Sequence, residues 1–299
     1  MAISQVRAQI NGTWYTLTLQ SDNTYTATIT APGSTSYNLS GGYYNVTVEA
    51  TNTAGTVTTK TGADMSGLRL VVKEKVPPVI SILSPTSGAN VTNNKQPVTF
   101  TVTDESGGSG VNISSLVVKL DGTAVSASTI TSTAITNGYS VTYTPGSALS
   151  DGSHTVAIAV SDNDGNAATA KSTSFKVDTV PPTLNVTAPA NNLVTNTASL
   201  VVRGTTNDTS SSPVTVKMTL NGADQGSITV SSDGSFTKTL TLASGSNTIV
   251  VTATDAAGKS SSVTRTVTLD VSVPSVTSAT ISPNPVDAGA TMVITVVVE

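Results

Sequence analysis

The chain has no cysteine, one histidine, one tryptophan and three phenylalanines in 299 residues, and only 11% of it is charged. Without cysteine there can be no disulfide, no thiolate nucleophile and no Cys-ligated zinc or iron–sulfur centre. A single histidine removes multi-histidine metal sites and argues against a Ser-His-Asp triad. Fourteen basic residues against 18 acidic ones, a net charge of −4, argue against nucleic acid or an anionic membrane surface as the main partner. No apolar run approaches the ~20 residues of a membrane span, so no membrane insertion is expected. The opening MAISQVRAQING lacks the basic and then apolar regions of a signal peptide. The expectation is that a leader was removed before this numbering or that the protein leaves its cell by another route.

What is present is threonine, 54 residues of it, together with enough apolar residues for two or three domains with cores of their own. Threonine suits strands. The dominant signal is repetition, which organises everything else. LSGGYYNVTVEATNTAGT (39–56), LSDGSHTVAIAVSDNDGN (149–166) and LASGSNTIVVTATDAAGK (242–259) align without a gap. In each, a glycine turn precedes a strand in which apolar and polar residues alternate: Val46, Val48 and Ala50; Val156, Ile158 and Val160; Ile249, Val251 and Ala253. Period two means one buried face. Upstream, Asn11-Gly12, Asp121-Gly122 and Asn221-Gly222 each follow an alternating strand and favour a two-residue hairpin. Val-Pro-Pro at 76–78 and 180–182 and Val-Pro-Ser at 273–275 follow strands; proline cannot donate to a ladder and stiffens a linker, so these mark boundaries near 75, 179 and 272.

A full repeat reads as seven strands, A, B, C, C′, E, F and G. In the middle repeat A is Val79–Leu83, B is Val98–Thr103, C is Leu116–Leu120 and F is Thr155–Val160. Seven short strands with frequent turns predict an all-β protein of tandem immunoglobulin- or fibronectin-III-like β-sandwich domains, in an extended rod. VDTVPPTLNVTAPANN and NTIVVTATDAAGKSSSVTRTVTLD resemble bacterial Ig-like repeats of surface adhesins and phage tail proteins. MAISQVRAQINGTWYTLT and ISPNPVDAGATMVITVVVE resemble Ig-repeat proteins of Firmicutes phage tail modules. The resemblance implies the fold; such sandwiches host many roles.

The expected domains are 1–75, 76–179 and 180–272, with 273–299 left over. The first begins at its strand C (Val6, Ala8, Ile10) and has no A or B, so its strand E (Tyr25, Ala27, Ile29) presents an open, acceptor edge. The last piece is an A–B hairpin, and Met292, Ile294, Val296 and Val298 share one face. Twenty-seven residues cannot build their own core. Three readings stand: a severed fourth domain, a strand donor to the first domain of another copy, or a segment that docks on a different tail or surface protein.

Candidate site residues are few. His154 starts a strand F where the other repeats carry Tyr44 and Asn247, so it reads as a polar cap at the E–F corner. Asp162-Asn163-Asp164-Gly165-Asn166 opens like a calcium loop, but Ala167 and Thr173 occupy the positions where an EF-hand needs Gly and Glu, so turn chemistry comes first. Asp104 and Glu105 should share the pole of Asp162 and Asp164, which keeps a weak calcium reading for these four; pairing with Lys73 and Lys75 is the competing one. Asp178 and Asp270 end G strands and could meet the next domain's loops, with Asp208 and Asp255 facing Asp178; that is thin for cadherin-like calcium stiffening. Gly107-Gly108-Ser109-Gly110 lacks the lysine and helix of a phosphate loop and reads as a B–C loop. The only Trp and five of seven Tyr precede residue 45. Parity puts Tyr15, Leu17, Leu19 and Tyr44 inward and Trp14 and Tyr43 outward, where an aromatic could contact a host glycan, a receptor or a partner, or else cover the missing strands or the domain junction. No catalytic residue and no cofactor is expected. The functional expectation is a non-enzymatic structural or adhesive protein outside cells, a phage tail fibre or baseplate-associated appendage; the alternatives are a bacterial cell-surface adhesin or filament subunit, and an ancillary module of a carbohydrate-active enzyme.

Overall fold

The computed structural model describes residues 2–299. The chain divides into two compact units, Met1–Asp178 and Thr179–Glu299.

The first unit holds two modules. Residues up to 75 form β1 (Ile3–Ile10), β2 (Thr13–Thr16), β3 (Thr18–Leu19), β4 (Tyr25–Thr26), β5 (Tyr44–Asn45), β6 (Thr47–Asn52), β7 (Val57–Lys60) and β8 (Arg69–Leu70). One sheet, ordered β2-β1-β6-β7, is the C′-C-F-G half of a sandwich; β3–β4 and β5–β8 are two-stranded ribbons. No strands equivalent to A and B are among these residues. The expected strand E shrinks to Tyr25–Thr26, paired with Leu19 and Thr18, and Ala27 and Ile29 lie in irregular chain. A strand with no ladder partner on its other side has nothing to extend it. Val6, Ala8 and Tyr44 are its buried apolar side chains; Leu19, expected inward, is 53% exposed because there is no second sheet for it to face.

The second module is a complete sandwich: β9 (Val79–Ser84), β10 (Ala89–Val91), β11 (Val98–Thr103), β12 (Val111–Leu120), β13 (Thr123–Ala124), β14 (Ile130–Ile135), β15 (Gly138–Tyr143), β16 (Gly152–Asp162) and β17 (Lys171–Val177). The sheets are β14-β15-β11-β9 and β10-β17-β16-β12-β13. Alternation does the work: Val98, Phe100 and Val102 point in from β11 and Val156, Ile158 and Val160 from β16, and with Val141, Phe175 and Val177 they form one core. Two strands go beyond the sequence expectation. β10 leaves the first sheet and pairs in parallel with β17, and β14 forms a hairpin with β15. Gly138 in that hairpin has no room for a side chain, since a Cβ would meet the Val102 carbonyl at 2.0 Å.

The second unit begins with the same plan: β18 (Thr183–Ala188), β19 (Leu193–Thr195), β20 (Ser199–Asn207), β21 (Thr215–Leu220), β22 (Ala223–Asp224), β23 (Ser235–Thr241), β24 (Gly245–Thr254) and β25 (Ser260–Leu269). Its sheets are β18-β20-β23 and β19-β25-β24-β21-β22, around a core with Val202, Met218, Leu240, Ile249 and Val251. The hairpin turns in all three modules form as the Asx-Gly pairs demand: Asn11, Asp121 and Asn221 have φ of 47, 47 and 51° and the following glycines 80 to 85°. The unit ends in β26 (Val276–Ser282) and β27 (Val293–Val298), antiparallel to each other. Every residue from 270 to 299 is exposed.

Candidate functional site

The junction of the first two modules is built from the linker 73–75 and two loops of the second module. Asp164, in the β16–β17 turn, accepts the Thr35 hydroxyl at 2.6 Å and the Glu74 backbone N–H at 3.0 Å on one oxygen. The Lys73 ammonium donates to the Asp164 carbonyl at 3.1 Å. Asn166 donates to the Glu74 carbonyl at 3.2 Å, and Asn38 of the first module to the Gly108 carbonyl at 2.6 Å. The linker is thus read by side chains rather than left free.

The acidic residues at this pole separate into two kinds. Asp162, 1% exposed, accepts the Asn166 backbone N–H at 2.8 Å and its side-chain amide at 2.7 Å, which is turn chemistry; Asp164 is spent on the linker. Asp104 and Glu105 instead gather with Glu74, and an oxygen from each of the three lies within 4.8 Å of the others. The lysine pairing expected for these carboxylates is absent: none of Glu74, Asp104 and Glu105 forms an ion pair with lysine or arginine among the described residues. Asp104 uses one oxygen on the Gly110 N–H at 2.7 Å, and Glu74 uses one on the Ser109 N–H. The other oxygen of each is buried and meets no donor apart from the Glu105 carboxyl when that is protonated. Two ionised carboxylates cannot hydrogen-bond each other, so without a cation the pair Glu74–Glu105 must hold a proton. The bond to Glu74, then burial and the neighbouring Asp104, push the Glu105 carboxyl up to about 7. Burial opposes ionisation of Glu74, but the bonds from Glu105 and Ser109 outweigh it and keep its carboxyl below the usual value.

His154 is 8% exposed at the start of β16. Its Nδ1 lies 2.7 Å from Asp121 Oδ2 and its Nε2 2.9 Å from the Ser150 carbonyl. The equivalent Tyr44 donates to the Ser34 carbonyl at 3.1 Å, and the fully buried Asn247 donates to the Ala243 and Gly245 carbonyls at 2.7 and 2.9 Å. Three different side chains tie the same corner, a structural task.

Of the aromatic candidates, Trp14 lies on the outer face of the first sheet and Tyr43 just before the β5–β8 ribbon. Trp14 pairs in register with Gln9, and Tyr15 with Ala8, so Trp14 points away from Val6 and Ala8. The Arg7 guanidinium sits 4.1 Å above the Trp14 ring and bonds Glu49 at 2.7 Å, making a stripe across three strands. Arg69 covers Tyr43 at 5.1 Å. Trp14 remains 36% exposed.

The hairpin β26–β27 is apolar on both faces. Ile294, Val296 and Val298 are 59, 50 and 61% exposed and Val293 and Val297 64 and 48%; Met292, just before β27, is 51% exposed. Its antiparallel pairing is that of the A and B strands β9–β11 and β18–β20.

Comparison with known proteins agrees with this architecture. Residues 84–179 match the family model of a bacterial Ig-like domain and residues 182–271 that of glucodextranase, domain B. No curated protein matches the chain. Among solved structures, the chain is similar to the fibronectin(III)-like modules of CbhA from Clostridium thermocellum (19% identity, 64% of this chain and 94% of that one, TM-score 0.42). It is also similar to titin domains A168-A170 (14%, 88% and 85%, 0.41) and to immunoglobulin domains 1–5 of Sidekick-1 (13%, 92% and 56%, 0.37). Strand order shows tandem β-sandwich modules, and the family matches support Ig-like repeats over residues 84–271.

Proposed function

We propose that the chain is a non-enzymatic structural and adhesive protein of the extracellular space, a phage tail fibre or baseplate-associated appendage, whose copies join head to tail through the 273–299 hairpin. One observation carries this reading: the hairpin β26–β27 is of A–B type, exposed and apolar on both faces, and within residues 2–75 no A- or B-type strand pairs beside the sheet β2-β1-β6-β7. Met292, Ile294, Val296 and Val298 would face Val6, Ala8 and Tyr44 of a neighbouring copy, and a donated strand would pair along the edge at Tyr25, extending order through Ala27 and Ile29. Such contacts are heterologous and generate rings or filaments. Trp14, on the opposite face of that sheet, and Tyr43 would stay free for a glycan or protein receptor at the host surface. The match of residues 84–179 to a bacterial Ig-like domain supports a second reading, a bacterial cell-surface adhesin or filament subunit built the same way.

The test is the solution mass of the full chain beside a version ending at residue 270, by light scattering on a sizing column. Concentration-dependent assemblies of the full chain and a monomeric short chain are expected. Monomers in both cases would refute donation between copies and leave a severed fourth domain or docking on a different protein.

A further inference from the structure

We propose that Glu74, Asp104 and Glu105 form a calcium site that fastens the linker of the first two modules to the β11–β12 loop. The spacing suits the ion. Calcium takes oxygen ligands at about 2.3–2.6 Å, so oxygens on opposite sides of it stand about 4.6–5.2 Å apart; here an oxygen from each of three carboxylates lies within 4.8 Å of the others. Three carboxylates on a loop and a linker suit the flexible oxygen shell of calcium better than the strict octahedron of magnesium, and no nitrogen or sulfur ligand is present for zinc.

A second observation, independent of the clustering, points to a missing cation. Asp104 is 7% exposed, and once Glu105 is ionised its buried Oδ1 has no donor, nor has the buried Oε2 of Glu74. Their other oxygens are oriented by backbone N–H groups of Gly110 and Ser109. The loop therefore fixes each carboxylate and leaves one oxygen of each unanswered, which is the arrangement a metal ligand needs. Protein cations do not answer them: Lys73 is spent on the Asp164 carbonyl, and none of the three forms an ion pair with lysine or arginine among the described residues. Gly108 completes the cradle. A Cβ there would stand 2.8 Å from Glu105 Oε1 and 2.9 Å from Asp104 Oδ2, so a side chain would fill the space beside the ion. The ligand set differs from the one the sequence suggested: Asp162 and Asp164 are engaged elsewhere, and Glu74 of the linker takes their place. Because the Glu74 backbone is already held by Asp164 and Asn166, an ion on its side chain would close the third tie between linker and module.

The experiment is calcium chloride titration of the full chain after chelator treatment, by calorimetry and thermal unfolding, with magnesium chloride alongside. One calcium per chain is expected, with the unit's transition raised by about 5–10 °C at hundredfold saturation and with magnesium at least tenfold weaker. Glu105→Gln should weaken calcium at least tenfold while leaving the calcium-free chain as stable as before or more so, since it removes a like charge. That variant keeps the test valid if Asp104→Asn fails to fold. No heat and no thermal shift at about 10 mM calcium, a concentration that saturates even weak extracellular sites, would overturn the proposal. So would a Glu105→Gln chain that binds calcium like the parent.

Discussion

The corner at His154 gives a pH dependence that can be worked through. Both partners of the ring, the Asp121 carboxylate and the Ser150 carbonyl, are acceptors, so both nitrogens can be satisfied only when both carry hydrogen, as in the imidazolium. Burial opposes that charge, but the bonds to Ser150 and Asp121 outweigh it and hold the His154 pKa above its ordinary value. A raised folded pKa contributes stability that is complete below the unfolded value, about 6.5, and is lost as pH rises through the folded one. Burial also opposes ionisation of Asp121, yet its bonds from Thr155 and His154 lower its pKa, so its share is present above the unfolded value, about 3.9, and is lost as pH falls through the lowered one. A hydrogen bond to a charged group is worth about 1.5–3 kcal/mol. The Asp121 side chain is 47% exposed, and solvent screening brings the expected loss between pH 5.5 and 9 to about 1 kcal/mol. Glu105 has the same sign, since its carboxyl is pushed up to about 7, and it must be removed to isolate the histidine. The assay uses the absence of cysteine. A single Val156→Cys thiol, fully buried in the second module, reports opening of that module alone by its labelling rate across urea, normalised to an unfolded peptide at each pH. In a Glu105→Gln background with chelator, the urea midpoint should fall from pH 5.5 to 9. His154→Asn, the residue type of the third repeat, should flatten the profile. An equal midpoint at both pH values, or a slope that survives His154→Asn, would refute the reasoning.

Other perturbations have equally direct outcomes. Phe100→Ala, at a side chain with no exposure in the second core, should cost about 3–5 kcal/mol, read as a lower urea midpoint by the same thiol, while the third module keeps its own transition. Gly204→Ala would put a Cβ 2.4 Å from the Phe236 ring and 2.5 Å from the Asn185 carbonyl; the third module should lose about 1–3 kcal/mol by calorimetry. Asn247→Ala strands the Ala243 N–H and the two carbonyls it now satisfies and should cost that module about 2–3 kcal/mol. Arg7→Ala removes the cation above the only tryptophan, so emission from Trp14 should change without a shift in the second or third transition.

Much of the architecture was legible in the chain itself, because a sandwich strand has a side-chain period of two and its turns have their own residues. Val98, Phe100 and Val102 alternate with threonines and point inward as written, and each Asx-Gly pair makes the turn its backbone preference dictates. Less legible were elements whose reason lies in a distant partner. The parallel pairing of β10 with β17 joins residues far apart in sequence, and β14 exists because β15 is beside it.

The candidate site shows the same division. Acidic residues in the β11–β12 loop and the β16–β17 turn were visible as residues, but their roles depend on which oxygens find donors. Only the fold turns Asp162 back onto its own turn, spends Asp164 on the linker and brings Glu74 across 30 residues of sequence to Asp104 and Glu105. Residue type and period determined by themselves that this is a chain of β-sandwiches with little charge and no cysteine. Which carboxylates share a space was decided by tertiary structure, because electrostatic coupling depends on distance and burial, and neither is written in the order of residues.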